Sequence, residues 1–572
     1  MFAQLAAPLL VASALAWIDP AQVTVGQRGI CVTEWDGGER IEIPVEVVGT
    51  LDPTSPGRRA VLVRLDDPRF AGAGVVAGMS GSPVYIDGRL LGAIAFGWAF
   101  AREPLAGVTP FAEMREIAAG PPSGAARAPD PAQLAAVASG AASPLSVLPT
   151  VPLAAGRAAL PLAIGGLGAP TAFGDEVLAR LGMQQVATGG GSVPEGAPEA
   201  GDMVAALLVW GDATLAAGGT VTAREGDTLW AFGHPFLALG GVRIPAARAR
   251  ALAIQTSFQN SFKIFTAGAP IGTFVADRPP GMLARVGPAP AGIPVTVEVV
   301  DPLGTQRRAF RVAEEPLLEP LLVTFLSNAS MTARGSAGEA SVRMTVGMSF
   351  ADGRTVAVRH AGRGIDAVAR AAAFAGGVVA FAEGSPYPHP ALSGVSVRVE
   401  RDERPTGAVI AEAVPARTSV RAGETLDIRV RMEPHLEEPR WESLQIRIPP
   451  EAIPGASLDL VVANGAAWSE YRLKAVGADP ADFATQMELL ETLEPSTKLV
   501  AALETRDRGV SIPGASRPDL PPSWAATLAI GLGRNAVRRL PTAIVAVERR
   551  PAPYPLEGAV RIPLTVRAAE EP

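Results

Sequence analysis

Apolar and polar positions alternate with period two over much of this chain, in short runs broken by glycine and proline. Gln22 to Trp35, Ile41 to Val48 and Ala60 to Leu65 read as half-buried strands. Gly74 to Ala77 and Pro83 to Ile86 are apolar runs, and Leu90 to Phe96 returns after Asp87-Gly88, a strong tight-turn signal between such runs. A helix from Phe111 to Ile117 closes this first unit, residues 20–117. Residues 118–148, rich in Ala, Gly, Pro and Ser, read as a linker. A second unit, 149–300, has a helix over Ala172 to Leu181. Its strands are Met203 to Trp210, Leu215 to Arg224, Thr228 to Phe232, Ser261 to Thr266, Gly272 to Val275 and Ile293 to Val300.

Residues 301–400 mix strands (Gln306 to Val312, Glu339 to Ser349, Thr355 to Arg359) with an Ala-rich helix from Ile365 to Phe374. Residues 401–572 alternate at Glu424 to Met432, Ser443 to Ile448, Ser457 to Val462, Ala543 to Glu548 and Gly558 to Val566. A helix is expected from Ala481 to Leu493, started by Asp479 and Pro480. Short proline-punctuated strands in this last unit suggest an immunoglobulin-like β-sandwich. The fold class expected is mainly β.

Length alters this picture only by requiring several domains, since one core does not grow to 572 residues. Hydrophobic residues make up 48%, enough for globular folding along most of the chain, and 61 Gly with 53 Pro favour strands over long helices. The net charge is −7 with no basic tract, which argues against nucleic acid as a partner. Met1 to Ala16 is apolar and ends Ala14-Leu15-Ala16, as a secretory signal peptide does, so a secreted or periplasmic location is expected. No other run is long and apolar enough for a transmembrane helix. One cysteine, Cys31, excludes an intrachain disulfide, and one cysteine with four scattered histidines cannot build a structural zinc site. Neither a metal nor a cofactor is expected, and Gly189-Gly190-Gly191 lacks the Lys-Ser/Thr of a phosphate loop.

The candidate chemistry lies in Gly78-Met79-Ser80-Gly81-Ser82-Pro83, between apolar runs. A nucleophilic serine needs a sharp turn with free backbone N–H groups facing a developing oxyanion, and glycines permit both. Ser80 falls at the tip, with the N–H groups of Gly78 and Ser80 as oxyanion donors. This segment resembles the nucleophile segment of the SpoIVB-type serine peptidases (stage IV sporulation protein B) and is related to the GDSGGP turn of trypsin-like enzymes. The resemblance extends through Val25-Gly26-Gln27-Arg28-Gly29-Ile30, Val45 to Gly49 and Gly107-Val108-Thr109-Pro110. It implies a trypsin-like double β-barrel, Ser80 as nucleophile and Ser82 in a structural place.

A serine needs a base. Phe232-Gly233-His234-Pro235 is similar to the family's Gly-His segment, and His234 is the only histidine within the region of resemblance. It follows Ser80 by 154 residues, whereas the family places histidine first, so the two halves would be in rearranged order. Triads are defined by geometry, not by order. For the acid, the resemblance implies Asp66, which precedes Ser80 by 14 residues, close to where the family places its aspartate. Asp67 beside it, and Asp227 and Asp277 nearer the base, remain rivals. The family's PDZ module has no counterpart here. The reading is a serine endopeptidase acting on itself or on protein or peptide substrates. The other class is a non-catalytic cell-envelope binding protein on a peptidase-like fold.

Overall fold

The structure, a computed structural model, describes residues 15–567 apart from 52–58, 99–100, 122–123, 125, 152–159, 169–170, 259, 335–337, 405, 456, 477–479, 507–509, 513–514, 518–521, 532–537 and 540–541. The chain is mainly β. Six strands form a closed barrel: β1 (Arg28–Glu34), β2 (Arg40–Leu51), β3 (Ala60–Leu65), β4 (Pro83–Ile86), β5 (Arg89–Phe96) and β6 (Leu105–Pro110). Their order is β1-β2-β3-β6-β5-β4, with β4 returning to β1. The alternation read from the sequence is the reason. In β2, Ile43, Val45 and Val47 point inward to meet Val61 and Val63 of β3, while Glu42 and Pro44, which alternate with them, are exposed and Glu46 is half-buried. Cys31 is wholly buried there, and burial pushes its thiol up to about 12, so it packs as a small apolar side chain. Helix α1 (Phe111–Arg115) follows β6.

Two features depart from the expected first unit. Gly74 to Ala77 is not a barrel strand: Val76 packs into the barrel core, and Ala77 forms an isolated bridge to Phe262. The stretch 118–148 contains α2 (Pro131–Ser139), whose Leu134 and Val137 are buried. Asp130 caps this helix and Gly140 ends it in a left-handed conformation. The leader expected at 1–16 lies outside the described residues except at Leu15 and Ala16. There the Ala16 carbonyl accepts from the Leu90 N–H, and Ile18 donates to Leu90 O.

Beyond α2 come β7 (Leu160–Gly165), α3 (Ala172–Arg180) and β8 (Met183–Ala187). Next are β9 (Met203–Gly211), β10 (Thr214–Glu225), β11 (Thr228–Ala231), β12 (Gly240–Gln255), β13 (Phe262–Arg278) and β14 (Gly281–Val286). The strands β9 to β14 close a second ring. β9 pairs with β10 and β12, β11 joins β10 to β14, and β13 joins β14 to β12, every pair antiparallel. Numbered within its own ring, each barrel runs 1-2-3-6-5-4. β12 (GGVRIPAARARALAIQ) is absent from the sequence reading because alanine and arginine favour helix. Pairing with β13 along most of its length overrides that preference.

The second ring belongs to a larger sheet of thirteen strands that crosses the expected boundary at residue 300. β15 (Ile293–Asp301), β16 (Gly304–Val312), β17 (Ala340–Phe350), β18 (Thr355–Gly364) and β19 (Leu392–Asp402) extend it beyond β9. Two buried helices cover this extension, α4 (Glu319–Thr332) and α5 (Ala367–Glu383). A Cβ on Gly376 of α5 would lie 1.9 Å from Thr324 Oγ1 and 2.3 Å from Pro320 O of α4, so glycine sets the helix spacing.

The C-terminal region holds a four-stranded and a five-stranded sheet facing one apolar core, with Ile428 and Ile446 from the first and Leu460, Leu503 and Leu564 from the second. The helix expected at Ala481 begins at Phe483, because Asp482 and Thr485 form a reciprocal cap. Among the described residues, no helix is long and apolar enough to cross a membrane.

Candidate active site

Ser80 lies on the connection from β3 to β4, the third and fourth strands of the first ring. Gly78 and Gly81 bracket it with φ of 96° and 95°, values that side-chain-bearing residues rarely adopt. The turn is gripped by β10 of the second ring. Thr220 N–H donates to Ser80 O at 2.7 Å, Thr220 Oγ1 to Gly78 O at 2.9 Å, and Thr222 Oγ1 to Gly81 O at 2.7 Å. A Cβ on Gly81 would sit 1.9 Å from Thr220 O, so this closeness needs glycine. Within the turn, Met79 N–H donates to Val76 O, Gly81 N–H to Ile94 O and Ser82 N–H to Met79 O. The N–H groups of Gly78 and Ser80 make no hydrogen bond among the described residues. Those two donors are therefore available to a developing negative charge.

His234 lies on the connection from β11 to β12, the third and fourth strands of the second ring. The two catalytic candidates thus occupy the same connection in two barrels of one topology. Phe232 and Gly233 both have positive φ, 68° and 66°. Left-handed backbone at a bulky residue such as Phe232 is strain that the surroundings must hold. Thr109 Oγ1 of β6 donates to Gly233 O at 2.6 Å, which gives the Gly-Val-Thr-Pro segment its purpose. A Cβ on Gly233 would fall 2.8 Å from Ala93 Cβ, so glycine lets the loop press against β5.

These constraints bring His234 Nε2 to 2.9 Å from Ser80 Oγ. Both side chains are partly exposed, so a substrate can reach them. His234 Nδ1 lies 2.8 Å from Pro235 O. A carbonyl only accepts, so this contact assigns the proton to Nδ1 and leaves the Nε2 lone pair to accept from the serine hydroxyl. That is the tautomer a general base requires.

The four aspartates separate clearly. Asp66 is exposed at the end of β3, and its carboxylate makes no hydrogen bond or ion pair among the described residues. Asp67 caps the short helical turn at Pro68–Phe70 and pairs with Arg69, whose guanidinium holds its carboxyl below the usual range. Asp227 is exposed in the turn between β10 and β11. Asp277, fully buried near the end of β13, has its carboxylate in the loop that carries the histidine. Its Oδ1 accepts from Phe236 N–H at 2.7 Å, and its Oδ2 from Leu237 and Leu239 N–H at 2.7 and 3.1 Å. The family resemblance points to Asp66 as the acid. The folded barrels instead place a buried carboxylate against the histidine loop, one strand connection away.

Ser82 is buried and turned from the base. Its Oγ donates to Thr33 Oγ1 of β1 at 2.8 Å. It therefore holds the structural place expected of it, two residues from an accessible Ser80.

A serine hydroxyl bonded to a neutral imidazole, beside two unpaired N–H groups, is equipped for attack on an acyl carbon. Comparison with known proteins agrees at the level of family. Residues 11–114, which hold the serine-bearing barrel, match the family model described as SpoIVB peptidase S55. The match ends before His234. No curated protein and no solved structure was found to match the chain.

Proposed function

We propose that the protein is a secreted or periplasmic serine endopeptidase of the SpoIVB type, cutting itself or a few protein substrates. One observation carries the reading: the 2.9 Å contact between Ser80 Oγ and His234 Nε2, made across two barrels by residues 154 apart. Ser80 attacks the scissile carbonyl as His234 takes its proton. The Gly78 and Ser80 N–H groups receive the oxyanion, and the imidazolium then protonates the leaving amine. Asp277 takes the place of the acid: it fixes the histidine loop and sets a buried carboxylate beside it. Two six-stranded barrels of one topology with the site at their junction support the trypsin-like arrangement, in rearranged order. The C-terminal sheets, whose shared core supports an immunoglobulin-like sandwich, are available as a partner surface.

Labelling with a fluorophosphonate probe followed by peptide mapping tests this. Adduct on Ser80, abolished in Ser80→Ala, is the expected result. A folded wild-type protein that neither labels nor cleaves any protein would instead be a binding protein of the envelope on this fold. For export, the mature N-terminus should fall near Trp17. A protein recovered from the cytosol with Met1 intact would refute that part.

A further inference from the structure

Behind the nucleophile turn lies a buried lysine that the acyl-transfer mechanism does not use. Lys263 is the second residue of β13 and is 1% exposed. Its backbone N–H donates to Ala77 O at 3.0 Å, and Ala77 N–H donates to Ser261 O at 2.7 Å, so β13 holds the start of the turn. Its stem is the surface on which Gly78 rests: a Cβ on Gly78 would meet the Lys263 Cβ, Cγ and Cδ at 3.1 to 3.3 Å. Its Nζ lies 2.9 Å from Thr33 Oγ1, the same oxygen that Ser82 Oγ reaches from the other side.

We propose that Lys263 is a positioning residue for the nucleophile turn, its stem propping Gly78 and its amine anchoring Ser82 through Thr33, so that the Gly78 and Ser80 N–H groups hold their aim. The inference rests on the peptidase reading given above. Lys263 Nζ and Ser82 Oγ both donate to Thr33 Oγ1, whose two lone pairs take one hydrogen bond from each, so the amine and the Ser82 hydroxyl are tied to one oxygen. Lys263 makes no ion pair among the described residues, and burial lowers it to about 7. The titratable groups acting on it are Glu34 and Cys31 of β1, with Asp202 acting on Glu34 in turn. The Glu34 carboxylate is already engaged by the N–H groups of Met203 and Ala251. A lysine so placed costs stability, so its use lies in what it orients.

The experiment compares wild type with Lys263→Met, which keeps the stem and removes the amine. Fluorophosphonate labelling of Ser80 should slow on the order of tenfold or more, since the donors lose their aim. The thermal midpoint should stay level or rise. Lys263→Gln, whose amide can still donate to Thr33, should label faster than Lys263→Met. Thr33→Val breaks the same chain at its centre and should slow labelling as well, which keeps the test open if Lys263→Met folds poorly. Equal labelling rates in wild type and the folded variants would overturn the role of Lys263 alone. No labelling of Ser80 in folded wild type would overturn the peptidase reading and this one with it.

Discussion

Asp277→Asn tests the assignment of the acid, and its size can be worked from three hydrogen bonds. The carboxylate accepts from Phe236 through one oxygen and from Leu237 and Leu239 through the other. An asparagine amide keeps two of these by placing its oxygen toward Leu237 and Leu239. Its NH₂ then faces the Phe236 N–H, donor against donor. One hydrogen bond to a charged group is lost, at about 1.5–3 kcal/mol. The reverse orientation loses two and is disfavoured. The fold should therefore survive, with its urea midpoint lowered by that amount at unchanged m-value. The rate should suffer more than the stability. The loop holding His234 loses both an anchor and a negative charge, and a comparable change in a catalytic triad costs about 10⁴-fold. The assay is the rate of fluorophosphonate labelling at Ser80, measured well below the unfolding transition, with Asp66→Ala in parallel. Asp66→Ala should label within about twofold of wild type, because an exposed, unpaired carboxylate has little to lose. A folded Asp277→Asn protein labelling at the wild-type rate, or an Asp66→Ala protein that has lost labelling, would refute the reasoning.

Four further outcomes rest on particular contacts. Ser80→Ala should abolish labelling at little cost in stability. Ser82→Ala should keep its adduct on Ser80 but unfold earlier, by about 1 kcal/mol, because Thr33 loses a buried partner. Adduct on Ser82 in the wild type would contradict this. Lys263 is held at about 7 in the fold against 10.5 ordinarily. Between those values the unfolded chain keeps a proton that the folded chain has released, so stability gains as pH rises through this window. This gain should vanish when Lys263→Met is compared by denaturant unfolding from pH 7 to pH 10. A wild type and variant with parallel pH dependence would show that the amine is not buried as described. Gly376→Ala should cost about 1–3 kcal/mol by forcing α4 and α5 apart, and an unchanged thermal midpoint would contradict the close helix contact.

The sequence by itself determined the local chemistry. Period-two alternation located the barrel strands from β1 to β6, because a strand with one wet and one dry face must alternate. The glycines around Ser80 and before His234 marked places where backbone takes positive φ and approaches another strand. Scarcity of histidine, together with the family motif, singled out His234. Tertiary structure decided what depends on distance through space. No spacing reveals that β10 would grip the nucleophile turn, or that the β13–β14 end would carry Asp277 to the histidine loop while Asp66 stays in solvent. Position along the chain does not reveal this, because Asp277 meets the histidine loop from the neighbouring strand β13. The same cause hid β12, whose alanines and arginines prefer helix until β13 offers a ladder of hydrogen bonds. It also hid Lys263, whose charge reads as surface until the fold encloses it beneath Gly78. Local preferences are set within a few residues, whereas a catalytic junction is set by which strands close the two rings.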